Sequence, residues 1–197
     1  RGVRQPIVLF VGRLVPYKGV DVLLDAMQPL NAGLIVVGEG PQRAALDAQA
    51  RALGIADRVS FLGPVSDDEL AALYRACDVF VLSSRNEGMA VAMLEAMAAG
   101  LFVVATAISG VEEALAPTSG RGPAGWIVAP DDVASLRAGL EKALAAARSE
   151  PGSRDPRLEA VRRSREWFGQ DAMVDGVEAV LFGDPAPGAL GADRSGR

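Results

Sequence analysis

The chain has 197 residues, 50% of them hydrophobic, with 25 acidic against 20 basic side chains, a formal charge of -5, one cysteine and no histidine. That length suits one domain with ample apolar material for a core, and the acidic balance argues against a nucleic-acid-binding surface while leaving room for a local cationic site. Without histidine the commonest metal ligand and the usual general base are missing, and the single Cys77 excludes an intrachain disulfide framework, so carboxylates are the obvious proton-transfer groups.

No uninterrupted apolar stretch is long enough to cross a bilayer, and the opening R-G-V-R-Q-P is neither an initiator methionine nor a signal peptide. The expectation is a cytoplasmic protein read as a piece of something longer.

Along the chain one unit repeats: a short apolar strand, a loop and an amphipathic helix. Ile7 to Val11 leads to a helix at Val20 to Met27, whose Val20, Leu23, Leu24 and Met27 share a face. Gly33 to Val37 leads to Pro41 to Leu53, Val59 to Leu62 to Ser66 to Arg75, and Val79 to Leu82 to Ala90 to Ala99. Phe102 to Thr106 leads to Gly110 to Leu115, and after the loop S-G-R-G-P-A-G a last strand, Trp126 to Val128, leads to Asp131 to Ala147. Parallel strands need crossover connections, so six strands alternating with helices imply an α/β, Rossmann-like, doubly wound six-stranded parallel sheet, in the order 3-2-1-4-5-6.

Two C-terminal helices are expected at Asp155 to Trp167 and Gln170 to Phe182, so that residues 1–182 form the domain. Gly183 to Arg197 offers almost nothing to bury and is expected to be a disordered tail.

In such sheets ligands bind beyond the carboxyl ends of the strands. The first loop there, V-G-R-L-V-P-Y-K-G, holds Arg13 and Lys18 between Gly12 and Gly19, glycines that permit tight turns. The two cations either converge on one anion or are solvated loop charges. The loop lacks the P-loop pattern, and in G-E-G-P-Q-R Arg43 stands where a dinucleotide fingerprint needs its third glycine.

The second loop, Gly38 to Pro41, reads as a tight turn into a helix. In the third, Ser66 and Glu69 form a capping box, leaving the backbone of Leu62 to Val65 to meet a ligand. The fourth loop carries Glu87 and Gly88, with the amides of Met89, Ala90 and Val91 opening the next helix at its positive end, suited to oxygen-rich anionic ligands. Glu95, eight residues after Glu87, is a charge inside an apolar run, explained either by a ligand or by an ion pair with a neighbouring arginine.

F-V-G-R-L-V-P-Y-K-G, V-G-E-G-P, F-L-G-P-V-S-D-D-E-L, Y-R-A-C-D-V-F-V-L-S-S-R-N-E-G-M-A-V-A-M-L-E-A-M-A-A-G and G-W-I-V-A-P-D-D stand in an order and spacing that resembles the C-terminal domain of GT-B glycosyltransferases. The likeness covers residues 6 to 182 and is to the large retaining family, group 1 type, that includes bacterial mannosyl- and N-acetylglucosaminyltransferases. The resemblance implies that Arg13 and Lys18 grip the diphosphate of a nucleotide-sugar donor and that Glu95 bonds the ribose hydroxyls. By the same resemblance Glu87, the candidate catalytic residue, touches the sugar. The amides of Gly88, Met89, Ala90 and Val91 hold sugar and phosphate oxygens, and the backbone from Leu62 to Val65 edges the base.

Gly12 and Gly38 belong to this donor-binding set as loop glycines. No D-x-D occurs in the chain, so a metal-independent site with no further cofactor is expected.

Phe102 takes a position where the family usually has proline, Ser109 and Glu112 stand where glycine and proline are typical, and Ala90 fills a site commonly glycine or proline, which bears on sugar specificity. No second sheet can be found, so the expectation is a donor-binding domain, inactive without an N-terminal half to hold the acceptor. Its cleft face is then expected to self-associate or to present an apolar patch, and the full-length enzyme could be peripheral to the inner face of the membrane. The alternative is a non-catalytic domain of the same fold serving as an interaction or regulatory module.

Overall fold

The computed structural model describes residues 6–86, 90–116, 123–148, 156, 157, 159–161 and 164. The six apolar runs form β1 (Ile7–Val11), β2 (Gly33–Val37), β3 (Val59–Gly63), β4 (Val79–Leu82), β5 (Phe102–Thr106) and β6 (Trp126–Val128). They pair in parallel, in the order β3-β2-β1-β4-β5-β6. The expected topology is the observed one, and β1 and β4 are neighbours at the point where the winding reverses.

Period-two alternation sorts each strand's side chains between two cores. Val8, Phe10, Leu34, Val36, Val79, Val81, Phe102 and Val104 face one way. They are covered by α1 (Val20–Met27), α2 (Arg43–Ala52) and α6 (Val133–Ala147). Ile7, Leu9, Ile35, Val37, Phe80, Leu82, Val103 and Ala105 face the other way, under α3 (Asp67–Ala76), α4 (Val91–Ala98) and α5 (Val111–Leu115). Because both faces are covered, the central strands read as continuous apolar runs instead of alternating ones. Leu9, Phe10 and Phe80 are fully buried, and each such side chain contributes about 1.5–3 kcal/mol.

Helix starts differ from expectation by one or two residues, each because of specific hydrogen bonds. α2 begins at Arg43, not Pro41, because the Gln42 amide donates sideways to the Leu14 carbonyl (3.1 Å) and the Arg43 amide closes a turn on Gly40 (3.1 Å). α6 begins at Val133, since the Asp132 side chain caps it by accepting from the Ser135 amide at 3.0 Å. α4 begins at Val91, because the Met93 and Leu94 amides both donate to the Ala90 carbonyl.

Strand β3 runs one residue further than expected, to Gly63. Two 3-10 turns, Pro16–Lys18 and Ala56–Arg58, were not legible in the sequence. The capping box on α3 is present as read: the Glu69 amide donates to Ser66 Oγ at 3.3 Å and the Ser66 amide to Glu69 Oε2 at 2.8 Å.

Residues 156, 157, 159–161 and 164 are helical, within the expected helix at 155 to 167. The expected helix at 170–182 and the tail at 183–197 lie outside the described residues. Among the described residues no helix is long and apolar enough to cross a membrane.

Candidate functional site

The carboxyl ends of the strands are stitched together by their own loops. The Gly12 amide donates to the Val37 carbonyl (3.0 Å), the Leu14 amide to Glu39 (2.8 Å), and the Gly38 amide to Gly63 (2.8 Å), so the first three loops form one backbone assembly. Gly38 has φ +122°, and a Cβ there would lie 2.1 Å from the Gly12 carbonyl oxygen. Only glycine fits that close approach. Gly12 and Gly38 therefore build the floor of the site, and their amides are already engaged in doing so.

The next part of the site is the Pro16–Lys18 turn. Proline opens it with its fixed φ, and the turn lies against the end of β4: Ser83 Oγ donates to the Lys18 carbonyl at 2.9 Å, and the Arg85 amide donates to the Tyr17 carbonyl at 2.7 Å. Lys18 is half-buried, its ammonium 5.5 Å from the centre of the Tyr17 ring, while Arg13 is exposed. Both cations thus stand on the loop beside the β1–β4 switch point.

From the fourth loop, Glu87, Gly88 and Met89 lie outside the described residues. Ala90 is described, and it supplies the carbonyl that starts α4, so the helix-opening amides are those of Val91 and Ala92, one residue later than expected. Val91 is 43% exposed at this mouth.

Glu95 is half-buried one turn further in. Its recorded partner among the described residues is not an arginine. Tyr74, itself buried, donates its hydroxyl to Glu95 Oε2 at 2.9 Å and also reaches the Ala92 carbonyl at 3.2 Å. Burial, and then the Glu95 charge, push the phenol far above its ordinary range, so it remains a donor at any working pH. One carboxylate oxygen is held by α3, which fixes the orientation of the other.

At the end of β3 Leu62 is 47% exposed, whereas Val65, in the loop that follows, packs against the core beneath α3 and α4. The Arg43 guanidinium lies 4.6 Å from the Phe61 ring centre, next to Leu62.

Sequence reasoning passed over Tyr74, Ser83 and Arg85. Tyr74 and Ser83 act through single hydroxyls whose targets are remote in the chain, and no spacing rule connects them. Cys77, three residues after Tyr74, has no comparable role: burial, and then the neighbouring Asp78 charge, push its thiol up to about 12, which leaves it a protonated core residue at neutral pH.

An edge lined by a cation-bearing turn, a helix mouth and an oriented carboxylate now stands beside the matches to known proteins. The family model described as Glycosyl transferases group 1 matches residues 2–155. The chain belongs to the group 1 glycosyl transferases.

Among relatives of this group 1 domain, the 2-deoxystreptamine glucosyltransferase of Streptomyces kanamyceticus is 33% identical over 174 residues, covering 86% of this chain and 42% of the relative. The sucrose-phosphate synthase of Thermosynechococcus elongatus superposes with a TM-score of 0.72 at 31% identity, over 86% of this chain and 43% of that one. The C-terminal domain of a glycosyl transferase group 1 family protein from Francisella tularensis gives a TM-score of 0.72 at 20% identity, over 84% of this chain and 87% of that domain. At that identity the last likeness carries the fold alone. The chain corresponds to the C-terminal domain of the GT-B architecture, and it spans less than half the length of the whole relatives it matches.

Proposed function

We propose that this domain binds a nucleoside-diphosphate sugar, with the diphosphate at Arg13 and Lys18, the ribose hydroxyls at Glu95, the transferred sugar at Glu87, and the base along Leu62 to Val65. The observation that carries this reading is the Pro16–Lys18 turn clamped to the end of β4, which sets a cation at the switch point of a group 1 glycosyl transferase sheet.

In the transfer, the bond between the sugar's anomeric carbon and the departing phosphate oxygen breaks, and negative charge grows on the diphosphate. Fixed cations and helix-mouth amides stabilise that charge as it develops and need no reorganisation. Lys18 and Arg13 provide the cations, and the amides from Gly88 to Val91, with Ala92, provide the donors. This arrangement needs no carboxylate-held metal, so chelators should leave donor binding unchanged.

Glu95 suits a ribose because a carboxylate accepts from two vicinal hydroxyls, and Tyr74 fixes its orientation. The acceptor belongs to an N-terminal half of the full-length protein, and with it the chemistry proceeds with retention of configuration. The domain alone binds the donor and does not transfer it.

The test is calorimetric titration of UDP, GDP and ADP, and of the matching nucleosides, against the chain and against Lys18→Ala and Arg13→Ala. Either substitution should weaken binding of the preferred diphosphate by about 1.5–3 kcal/mol, the scale of a hydrogen bond to a charged group, and leave the nucleoside almost unaffected. Binding that is indifferent to both cations would place the anion site elsewhere.

A further inference from the structure

Arg85 stands two residues before Glu87, at the end of β4, where three loops of the carboxyl edge meet. Its guanidinium Nη1 donates to the Pro16 carbonyl, and Nη1 and Nη2 grip the two Asp21 carboxylate oxygens at 3.2 and 2.9 Å. Nε donates to Asp131 Oδ1, in the connection that leads to α6. Its main-chain amide holds the Tyr17 carbonyl at 2.7 Å, and Ser83 Oγ, two residues earlier, holds the Lys18 carbonyl at 2.9 Å. All three carbonyls of the Pro16–Lys18 turn are therefore held by the segment that follows β4.

An arginine at such an edge invites the reading that it is a third cation for the diphosphate. The contacts argue otherwise. The guanidinium fork has five donor hydrogens, and Arg85 spends four of them on one carbonyl and two carboxylates, so its charge is already matched within the protein. Its side chain is 29% exposed.

We infer that Arg85 is a positioning residue: it locks the Pro16–Lys18 turn to α1 and to the connection before α6, and so sets the Lys18 ammonium for a nucleoside diphosphate. This rests on the donor-binding reading above. Lysine cannot take over the task, because a point charge on a flexible stem does not span a carbonyl and two carboxylates in one geometry.

The test is a double-mutant cycle on the chain, read by titration with whichever of UDP, GDP or ADP binds the parent most tightly, and with its nucleoside. Arg85→Lys should weaken diphosphate binding by roughly tenfold, the scale of a misplaced charged contact, while nucleoside binding stays as in the parent and reports an intact fold. In a Lys18→Ala background the same substitution should cost less than about twofold, because the contact it positions is already gone.

Diphosphate affinity unchanged in Arg85→Lys, or an effect undiminished without Lys18, overturns the assignment. If Lys18→Ala itself costs nothing, the donor-binding reading fails first and this one falls with it. Should Arg85→Lys fail to fold, Asp131→Ala removes one exposed tether and is read in the same cycle, where an absent effect overturns the assignment as well.

Discussion

At the scale of single residues, the apolar surroundings of Glu95 are explained by its neighbour across the helix interface. A carboxylate in the run from Met93 to Met97 would waste burial if it served only α4. Instead it meets a buried phenol on α3 that holds one oxygen and leaves α4's mouth a fixed acceptor. Tyr74→Phe removes that donor, and we expect a loss of roughly 1.5 kcal/mol of stability, the low end for hydrogen bonds to a charged group, measurable by urea unfolding. Nucleoside affinity should fall as well, since Glu95 is then free to turn. A Tyr74→Phe chain with parental stability and parental nucleoside affinity would show that the contact is incidental.

Asp21 gives a second prediction at this scale. Burial alone would raise its carboxyl, but the Arg85 hydrogen bond and charge more than offset that and hold it below the ordinary aspartate range. A depressed folded pKa contributes stability above the unfolded value and loses it as pH falls through the folded one, so this contribution is present at neutral pH and disappears below about pH 4. Asp21→Asn should therefore flatten part of the loss of stability seen between pH 5 and 3 in urea midpoints. An unchanged slope would mean that solvent screens the pair completely.

At the scale of elements, α6 shows what sequence rules reveal and what they hide. Its length and its apolar face are plain in the sequence, but its capping Asp132 reads as helix and Gly139 in its middle looks like a defect. The sheet explains it: a Cβ at Gly139 would lie 2.6 Å from Val128 Cγ1 and 3.0 Å from Val104 Cγ1, so the glycine lets α6 sit directly on β5 and β6. Helix propensity favours replacing it, by up to about 1 kcal/mol. Packing opposes the change more strongly, and Gly139→Val should destabilise the chain by roughly 2 kcal/mol through overpacking, read as a lowered thermal midpoint. A midpoint at or above the parent's would show that the α6 contact has slack.

The start of α2 was misplaced for a related reason. Gln42 gives its amide to Leu14, a residue remote in sequence, and no local pattern foretells that. The capping box of α3 is entirely local, and it was legible.

For the whole molecule, the topology could be read from the sequence because strand and helix signals alternate without interruption and a parallel sheet admits few windings. That Arg13 and Lys18 stand on the first loop and Glu95 on the helix after β4 was also legible, since both lie at the carboxyl edge where an open sheet of this order binds. What stayed hidden is the stitching across that edge: Tyr74 to Glu95, Ser83 to Lys18, and Arg85 to Pro16, Asp21 and Asp131, contacts that exist only once strands distant in the chain are side by side. These contacts tie the described loops of that edge to one another, and a loop already tied in place has less freedom to lose when a ligand binds.

The most direct measurement of that reading is isothermal titration of the chain with UDP, GDP and ADP beside uridine, guanosine and adenosine. Donor binding at this edge predicts that one diphosphate binds at least about tenfold more tightly than its own nucleoside, the increment of one or two charge-assisted phosphate contacts, and that this increment shrinks by at least about tenfold in Lys18→Ala. No binding of any diphosphate, or a diphosphate and nucleoside bound equally well, would contradict it.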